Sequence, residues 1–490
     1  MICVPIVSQS MRQALDDISA AEPVADIIEL RVDLIPDADI PQLLKAATKP
    51  CIVTNRTKRE GGQFKGTEEE RVDILRRAID GGAEYIDIEA STPKELLKSI
   101  LNSKGNSQAI LSYHNFTHTL DDLIPLYEVM CELSGDVVKI VTYAEDINDN
   151  LKIFEILTRA RRDQKKLIAL CMGEKGEISR ILTTPMGGFL TFGSLETGKE
   201  SAPGQITAAA LKNIYRVGLA REQFNIYGVI GNPVAKSMGY LIHNRAFQET
   251  GSPDIYVPFL VTNAAKFFRA FDAYFNGLSI TMPFKEDISP LLEEVDGTAG
   301  EIGAINTVVR EDGRWKGYNT DCTGALQALE ERIDLKGKKV LIIGSGGTAK
   351  AIGYGVASRG CQLTVSYHSN RERGQKLAEE LKCDVIAVQD AGDHPADVLI
   401  NCSPVGMSPR VGETPLPAGY LKEGMVVFDS VYNPPETRLL REAKAAGCTV
   451  ISGVELFLNQ AAAQFELWTG EKAPVPAMRE VLMERLRAVE

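Results

Sequence analysis

Residues 201–237 read SAPGQITAAALKNIYRVGLAREQFNIYGVIGNPVAKS, and this stretch decides how the chain divides. It opens on a polar loop (SAPGQ) after the strand-like run FLTFGSL and continues as an apolar-periodic helix, ITAAALKNIYRVGLA. A polar joint at Arg221, Glu222 and Gln223 then leads into a new strand, FNIYGVIG, which ends in NPVAKS. Both ends place donors where a loop following a strand meets a bound molecule. The stretch is a seam: the last ligand-binding loop of one α/β unit is followed, within about one helix, by the first of another.

Upstream of the seam, eight apolar runs alternate with helix-patterned segments such as EEERVDILRRAIDGG: ICVPIV, ADIIELRVDL, PCIVTNR, EYIDIEA, AILSYHNF, DVVKIVTY, KLIALCM and FLTFGSL. Eight such units in roughly 215 residues predict a (β/α)8 TIM barrel over 1–218, followed by a linker at 219–225. A doubly wound sheet also alternates, but eight regular units favour closure. Chemistry in a barrel collects at the C-terminal ends of its strands. The polar residues that interrupt the runs are therefore candidates: Glu29, Arg31, Asp33, Arg56, Glu60, Asp87, Glu89, His114 and Lys139.

Lys139 is flanked by Val137, Val138, Ile140 and Val141, as in a parallel strand covered on both sides. A lysine is ordinarily a solvated surface group. Buried here, its ammonium is disfavoured by desolvation, and a neutral amine becomes available to attack a carbonyl. His114 ends the preceding strand and should stand beside it as general acid and base. Alone it would read as a structural histidine; with Lys139 it implies carbon-acid chemistry on a ketone, either elimination or aldol-type cleavage.

Composition limits what such a site can bind. The 490 residues leave room for two or three domains, and the net charge of −12 argues against nucleic acid and anionic membrane as partners. An acidic substrate must then rely on local arginines. The nine cysteines are scattered without a C-x-x-C pair, so neither a disulfide framework nor a metal site is expected. A cytoplasmic location is expected, since the chain starts directly on a strand and has no apolar run of membrane-spanning length.

ELRVD at 29–33, RTKREGG at 56–62, SYHNF at 112–116, VKI at 138–140, the G-x5-SR of 173–180 and SAPGQ at 201–205 together resemble type I 3-dehydroquinate dehydratase. The resemblance implies an imine between Lys139 and the C3 ketone of 3-dehydroquinate. It implies that His114 takes the C2 proton and protonates the departing C1 hydroxyl, with Glu60 orienting its ring. Arg180 would hold the substrate carboxylate, while Glu29, Arg31, Arg56, Ser201 and Gln205 contact the ring hydroxyls and close the site.

Downstream, KKVLIIGSGGTAKAIGYGVASRG is a strand, a Gly344-x-Gly346-x-x-Ala349 turn and a helix, which is the context a dinucleotide fingerprint requires. No acid follows the next strand from Thr364 to Asn370, whereas Arg371 and Arg373 do, which favours NADP over NAD. The arginines also read as solvated positions on a helix. LSITMPFKED, GAINT and GYNTDCTG add Lys285, Asn306 and Asp321, groups suited to giving or taking a proton during hydroxyl-to-ketone redox chemistry.

With IGNPV at 230–234, NCSPVGM at 401–407, VYNPPET at 431–437 and QAAAQFELWTG at 460–470, this half resembles shikimate dehydrogenase. The resemblance implies Lys285 and Asp321 as the catalytic pair, and Ser237, Thr281, Asn306, Tyr432, Gln460 and Gln464 as the substrate contacts. For the cofactor it implies Gly344, Ser345, Gly346, Gly347, Thr348, Ala349, Arg371, Arg373, Ser403, Val405, Gly406, Met407 and Gly453. It implies a substrate-binding domain at 226–325 plus 456–490 around a Rossmann-type NADP-binding domain at 326–455.

Two positions depart from the family. Its Ser-x-Ser reads Ser237-Met238-Gly239, losing a donor worth about 1 kcal/mol or more and opening space near C1, which keeps quinate open as an alternative substrate. Its Asn-Arg-Thr reads His368-Ser369-Asn370, which keeps NAD open. The expected activities are dehydration of 3-dehydroquinate to 3-dehydroshikimate and NADPH-dependent reduction of that product to shikimate. The competing readings are a quinate dehydrogenase in the second half, a metabolite sensor that has lost catalysis, and an imine-forming aldolase.

Overall fold

In the computed structural model, which describes residues 1–219, 223–234 and 237–488, the eight apolar runs of the first half become eight strands. These are β1 (Ile2–Ile6), β2 (Ile27–Arg31), β3 (Cys51–Thr54), β4 (Tyr85–Glu89), β5 (Gln108–His114), β6 (Val137–Tyr143), β7 (Lys166–Met172) and β8 (Thr191–Phe192). Their order is β7-β6-β5-β4-β3-β2-β1-β8, and every ladder is parallel. No ladder joins β7 to β8; Phe189 N–H donates to Leu167 O at 2.8 Å there instead. Side chains including Cys3, Ile52, Ile110, Val137, Ile168 and Leu170 form a buried core in this barrel.

Local chemistry sets the helix ends. Thr67 and Glu70 form a capping box at the start of the helix Glu68–Asp80. The helix expected across 206–220 is shorter, Ala208–Asn213. Thr207 caps its start, and after Ile214 the chain passes through Arg216 at φ 49°, which a helix cannot accommodate. Ala220, Arg221 and Glu222 of the expected helix and joint, and Ala235 and Lys236 of the expected 232–237 loop, lie outside the described residues.

The chain forms two compact units, Met1–Phe224 with Phe259–Val261 and Arg269–Ala273, and the remainder from Asn225. The second unit holds two sheets. The first is mixed, in the order β10-β9-β11-β13-β14-β12, from β9 (Ile226–Gly231), β10 (Ile255–Leu260), β11 (Gly277–Ile280), β12 (Glu294–Val295), β13 (Thr307–Glu311) and β14 (Arg314–Tyr318). The second is fully parallel: β15 (Lys339–Ile343), β16 (Gln362–Tyr367), β17 (Asp384–Ala387), β18 (Val398–Asn401), β19 (Val426–Asp429) and β20 (Thr449–Ile451). Its order, β17-β16-β15-β18-β19-β20, is the doubly wound order with its switch point between β15 and β18. Val340 and Ile342 belong to one buried cluster and Leu341 and Ile343 to another, the alternation of a sheet covered on both faces.

After β20 the helix Gly453–Thr469 returns to the mixed sheet, where Trp468 Nε1–H donates to Val308 O at 3.1 Å and Tyr227 O–H donates to Trp468 O at 3.3 Å. It crosses the helix Thr320–Glu330 so closely that a Cβ at Gly324 would lie 2.8 Å from Gln460 N. A side chain there would force the helices apart.

Candidate active sites

The barrel site grows out of strand register. Parallel pairing sets Ser112 opposite Lys139 and Glu89 opposite Ser112, so the polar residues of β4, β5 and β6 converge at one level. Glu29, Arg31, Arg56, Glu60, His114, Lys139, Arg180, Ser201 and Gln205 all line a single cavity.

Lys139 Nζ lies 2.9 Å from Asp87 Oδ2, 3.7 Å from Glu29 Oε1, and 4.3 Å from the centre of the Phe192 ring. The fold thus sets two carboxylates beside Lys139, neighbours that its apolar flanks do not announce. Arg56 bridges Asp87 at 2.8 Å and Glu89 at 3.3 Å, and donates to Ser112 Oγ at 2.7 Å. Burial alone would raise the Asp87 carboxyl, but Arg56 and then Lys139 hold it well below the usual carboxylate range.

His114 Nδ1 lies 2.9 Å from Glu60 Oε2, and Ser91 Oγ donates to the other Glu60 oxygen at 3.1 Å. Burial pushes the Glu60 carboxyl up to about 7, with Arg56 opposing and Glu89 adding to the rise. Burial, then Arg56 and Lys139, hold His114 well below the ordinary histidine value, so its imidazole is neutral in neutral water. Arg31 makes a two-pronged contact with Asp33 at 2.9 and 2.8 Å.

Arg180 differs from the other arginines of the cavity. It is 1% exposed, donates to Pro203 O at 3.0 Å, leaves Nε without a partner, and has no ion pair among the described residues. Burial pulls it down to about 10. The loop holding Pro203 is closed by Ser201 N–H to Gln205 Oε1 at 2.7 Å and Gln205 Nε2–H to Ser201 Oγ at 3.0 Å.

In the second half, Lys285 follows β11 and sets Nζ 2.5 Å from Asp321 Oδ2, in the first turn of the helix Thr320–Glu330. Asn306 is engaged at both amide atoms: Oδ1 accepts from Thr320 N–H at 2.7 Å, and Nδ2–H donates to Thr320 Oγ1 at 3.0 Å. Thr281 N–H donates to Ile230 O at 3.0 Å, tying the end of β11 to β9. Tyr432 stacks on Phe457 with ring centres 4.5 Å apart, while Gln460 Nε2–H donates to Phe457 O at 2.9 Å.

Gln464 is 2% exposed and donates to Asn306 O at 3.3 Å and Thr307 Oγ1 at 3.0 Å, leaving neither amide hydrogen for a ligand. Its Oε1 accepts from Ser279 Oγ at 2.8 Å, and Ser279 accepts from Tyr256 O–H at 2.8 Å. The gap opened by Gly239 is bounded by this chain: a Cβ there would lie 3.0 Å from the Tyr256 hydroxyl and 3.5 Å from Ser237 Oγ.

The nucleotide loop needs its glycines. Gly344 has φ +113°, and a Cβ on it would sit 3.1 Å from the Cys402 carbonyl. Gly346 caps the helix Gly347–Ala357, with Ser345 and Thr348 half-buried and Ala349 buried. Facing it, Asn401 Oδ1 accepts from Ser403 N–H at 3.0 Å and Oγ–H at 2.6 Å, and Val405 N–H reaches Ser403 Oγ at 3.3 Å. Gly406 has φ +90°, and Met407 is exposed. Gly453 lets its helix start against Val431, whose carbonyl a Cβ would meet at 2.4 Å. Arg371 and Arg373 open the helix Arg371–Leu381; Arg373 lies 3.3 Å from Glu286, while Arg371 has no ion pair among the described residues.

Comparison with known proteins decides the family. A model of the type I 3-dehydroquinase matches residues 2–220, and models of the shikimate dehydrogenase substrate binding domain and the shikimate 5'-dehydrogenase C-terminal domain match 229–308 and 453–483. A model of the coenzyme F420-dependent NADP oxidoreductases matches 339–428. The chloroplastic bifunctional 3-dehydroquinate dehydratase/shikimate dehydrogenase of Arabidopsis thaliana is 39% identical over 502 residues, spanning 97% of this chain and 83% of that protein. The chain belongs to this bifunctional dehydratase/dehydrogenase family.

Relatives of the dehydrogenase half alone agree. The NADP(+) shikimate dehydrogenase of Moorella thermoacetica is 42% identical over 277 residues, 54% of this chain and 94% of that protein. A crystal structure of a shikimate dehydrogenase in complex with NADP+ is 33% identical, with a TM-score of 0.51, and covers 54% of this chain and 96% of that one.

Sequence reasoning did not pair Lys139 with Asp87 and did not single out Arg71, Phe192, Tyr256 or Ser279. Arg71 sits in an amphipathic helix pattern and reads as a solvated charge, yet it is 0% exposed. Its position i+4 from the capping Thr67, on the same face as Leu75 and Ala78, is the signal that points inward.

Proposed function

We propose that the chain carries out two consecutive reactions, dehydration of 3-dehydroquinate to 3-dehydroshikimate in the barrel and reduction of that product to shikimate in the second half. The observation that carries the first is the unpaired, buried Arg180 in the same cavity as Lys139 and the His114–Glu60 pair. A buried guanidinium without a counter-ion calls for an anion, and a substrate carboxylate supplies it.

With the carboxylate on Arg180, Lys139 adds to the C3 ketone and expels water, forming an iminium. That cation acidifies C2–H. His114 takes the proton, the C1–O bond breaks, and the departing oxygen leaves as water with the proton returned by His114. Hydrolysis of the imine frees Lys139. Glu29, Arg31, Arg56, Ser201 and Gln205 hold the ring hydroxyls, and Glu60 fixes the His114 ring.

In the second half, Lys285 and Asp321 hold the proton that the carbonyl oxygen takes up. Ser237, Thr281, Asn306, Tyr432 and Gln460 surround the substrate, with Gln464 positioning Ser279 and Asn306 from beneath. NADP fits the residues present: the Gly344 turn admits a pyrophosphate at the helix Gly347–Ala357, and Arg371 and Arg373 suit a 2′-phosphate. Ser403, Val405, Gly406, Met407 and Gly453 line the facing side. When bound, the reduced cofactor supplies the hydride.

Quinate is disfavoured, because the room at Gly239 that an extra C1 hydroxyl would need is bounded by the Tyr256 hydroxyl. A cytoplasmic location fits the nine cysteines, all of them free.

Borohydride reduction with 3-dehydroquinate should leave a stable adduct on Lys139, detectable by peptide mass. K139M should lose this adduct and the dehydratase activity while keeping shikimate-dependent NADP reduction, and K285M should do the converse. An adduct elsewhere, or both activities lost in either variant, sinks the assignment.

A further inference from the structure

Arg71 stands on the helix Glu68–Asp80, behind the strand ends that carry the barrel cavity, and is fully buried. It ion-pairs with Glu89 and donates to Glu68 at 2.7 Å and to Thr92 Oγ1 at 2.6 Å. Glu89 also accepts from Thr57 N–H at 3.1 Å and lies 3.3 Å from Arg56. Arg56 reaches Asp87 at 2.8 Å, and Asp87 reaches Lys139 at 2.9 Å. An unbroken series of alternating charges therefore runs from Lys139 through Asp87, Arg56, Glu89 and Arg71 to Glu68, whose side chain is 38% exposed.

Charge balance gives this series a purpose. Within this series, removing Arg71 leaves Lys139 and Arg56 against the carboxylates Glu29, Asp87 and Glu89, one more negative group than positive. The other arginines of the cavity are Arg31, paired with Asp33, and Arg180, which pairs with none of these carboxylates. We propose that Arg71 is a positioning residue of the barrel site: by engaging Glu89 it frees Arg56 to hold Asp87 and offsets the Glu89 charge that Lys139 would otherwise feel. This rests on the reading of Lys139 as the imine-forming amine.

The charged and titratable groups around that amine are the Cys3 thiol on β1, Glu29 and Arg31 on β2, Arg56 and Glu60 after β3, Asp87 on β4, His114 on β5 and Arg180 after β7, with Phe192 of β8 across it. Leu170 and Met172 of β7 add apolar wall between them. Glu89 faces Arg56, Arg71 and, more remotely, Glu60. Deleting the Arg71 charge leaves Glu89 with Arg56 alone, which it shares with Asp87, and this added negative charge favours the cations of Lys139 and His114 over the neutral forms that react. A unit charge on the order of 10 Å away, at an effective dielectric of about 20, moves a titration by about one pH unit.

The test is borohydride trapping of 3-dehydroquinate on the full chain as a function of pH, in the parent protein, R71K, R71M and R71M/E89Q. The parent and R71K should share one midpoint for adduct formation. R71M should move it upward by about one unit, and R71M/E89Q, which removes both charges, should move it back. An R71M midpoint equal to the parent's, with only a lower Tm, overturns the proposal and leaves Arg71 a structural ion. If R71M does not fold, E68Q decides: freeing Arg71 from its outer partner should lower the midpoint by a few tenths of a unit, and an unmoved midpoint overturns the proposal. No adduct in the parent at any pH would instead defeat the imine reading itself.

Discussion

Glu60 Oε2 sits 2.9 Å from His114 Nδ1, and the carboxyl, not the imidazole, is the partner that titrates near neutrality. Burial raises Glu60 to about 7, so it is protonated below that value and ionised above it. Protonated, it donates to Nδ1 and His114 carries its hydrogen on Nε2. Ionised, it accepts Nδ1–H and leaves the Nε2 lone pair free to act as a base.

Dehydratase kcat should therefore rise with pH and level off above about 7. In E60Q, whose amide does not ionise, that inflection should vanish and kcat should fall by about 100-fold, within the range general-base positioning contributes. Product absorbance across a pH series measures both. An inflection that persists in E60Q would assign it to another group.

Arg180 makes stability and binding pull in opposite directions. R180M removes a buried charge that has no counter-ion in the free protein, so Tm should rise. The KM for 3-dehydroquinate should increase by roughly 10- to 100-fold, the worth of a charge-assisted hydrogen bond of about 1.5–3 kcal/mol. A Tm that falls would mean the guanidinium is better satisfied than its contacts indicate.

Cofactor choice should turn on Glu286 as well as on the arginines. Its carboxylate holds Arg373 at 3.3 Å, in competition with a 2′-phosphate. E286Q should lower the KM for NADP about two- to fivefold, the scale of an exposed ion pair, without changing that for NAD. R373Q should raise the KM for NADP alone. Equal effects on the two cofactors would remove Arg373 from 2′-phosphate recognition.

Gly277 offers a test of packing. A Cβ on it would fall 2.4 Å from the Trp468 indole, so G277A should destabilise the second half by about 1–3 kcal/mol through overpacking. Differential scanning calorimetry should show a lower transition for that half, with dehydratase activity unchanged.

The barrel's reactive residues were legible because a polar side chain within an apolar run is conspicuous: Lys139 inside VVKIV and His114 closing its own strand need only the period of a strand to place them. Partnerships were not. That Asp87 meets Lys139 depends on the register of three strands, and that Arg71 is buried depends on which face of an amphipathic helix meets the barrel. In the second half the glycine-rich turn and the Lys285–Asp321 pair were visible as loops after strands. The Tyr256–Ser279–Gln464 chain was hidden, since it joins segments far apart in sequence through Tyr256 and Ser279, which look unremarkable singly. Gln464 was recognisable as important, but its lack of a free donor emerged only from its neighbours.

Trp468, whose helix packs on the mixed sheet, lies 241 positions after Tyr227, whose hydroxyl hydrogen its carbonyl oxygen accepts. During synthesis the barrel joins most of its strands to their immediate predecessors and folds as it emerges, whereas the mixed sheet must wait for the helix Gly453–Thr469. The apolar surface around Tyr227 and Val308 thus stays uncovered until nearly the whole chain has been made. In that interval the face is one a chaperone would cover.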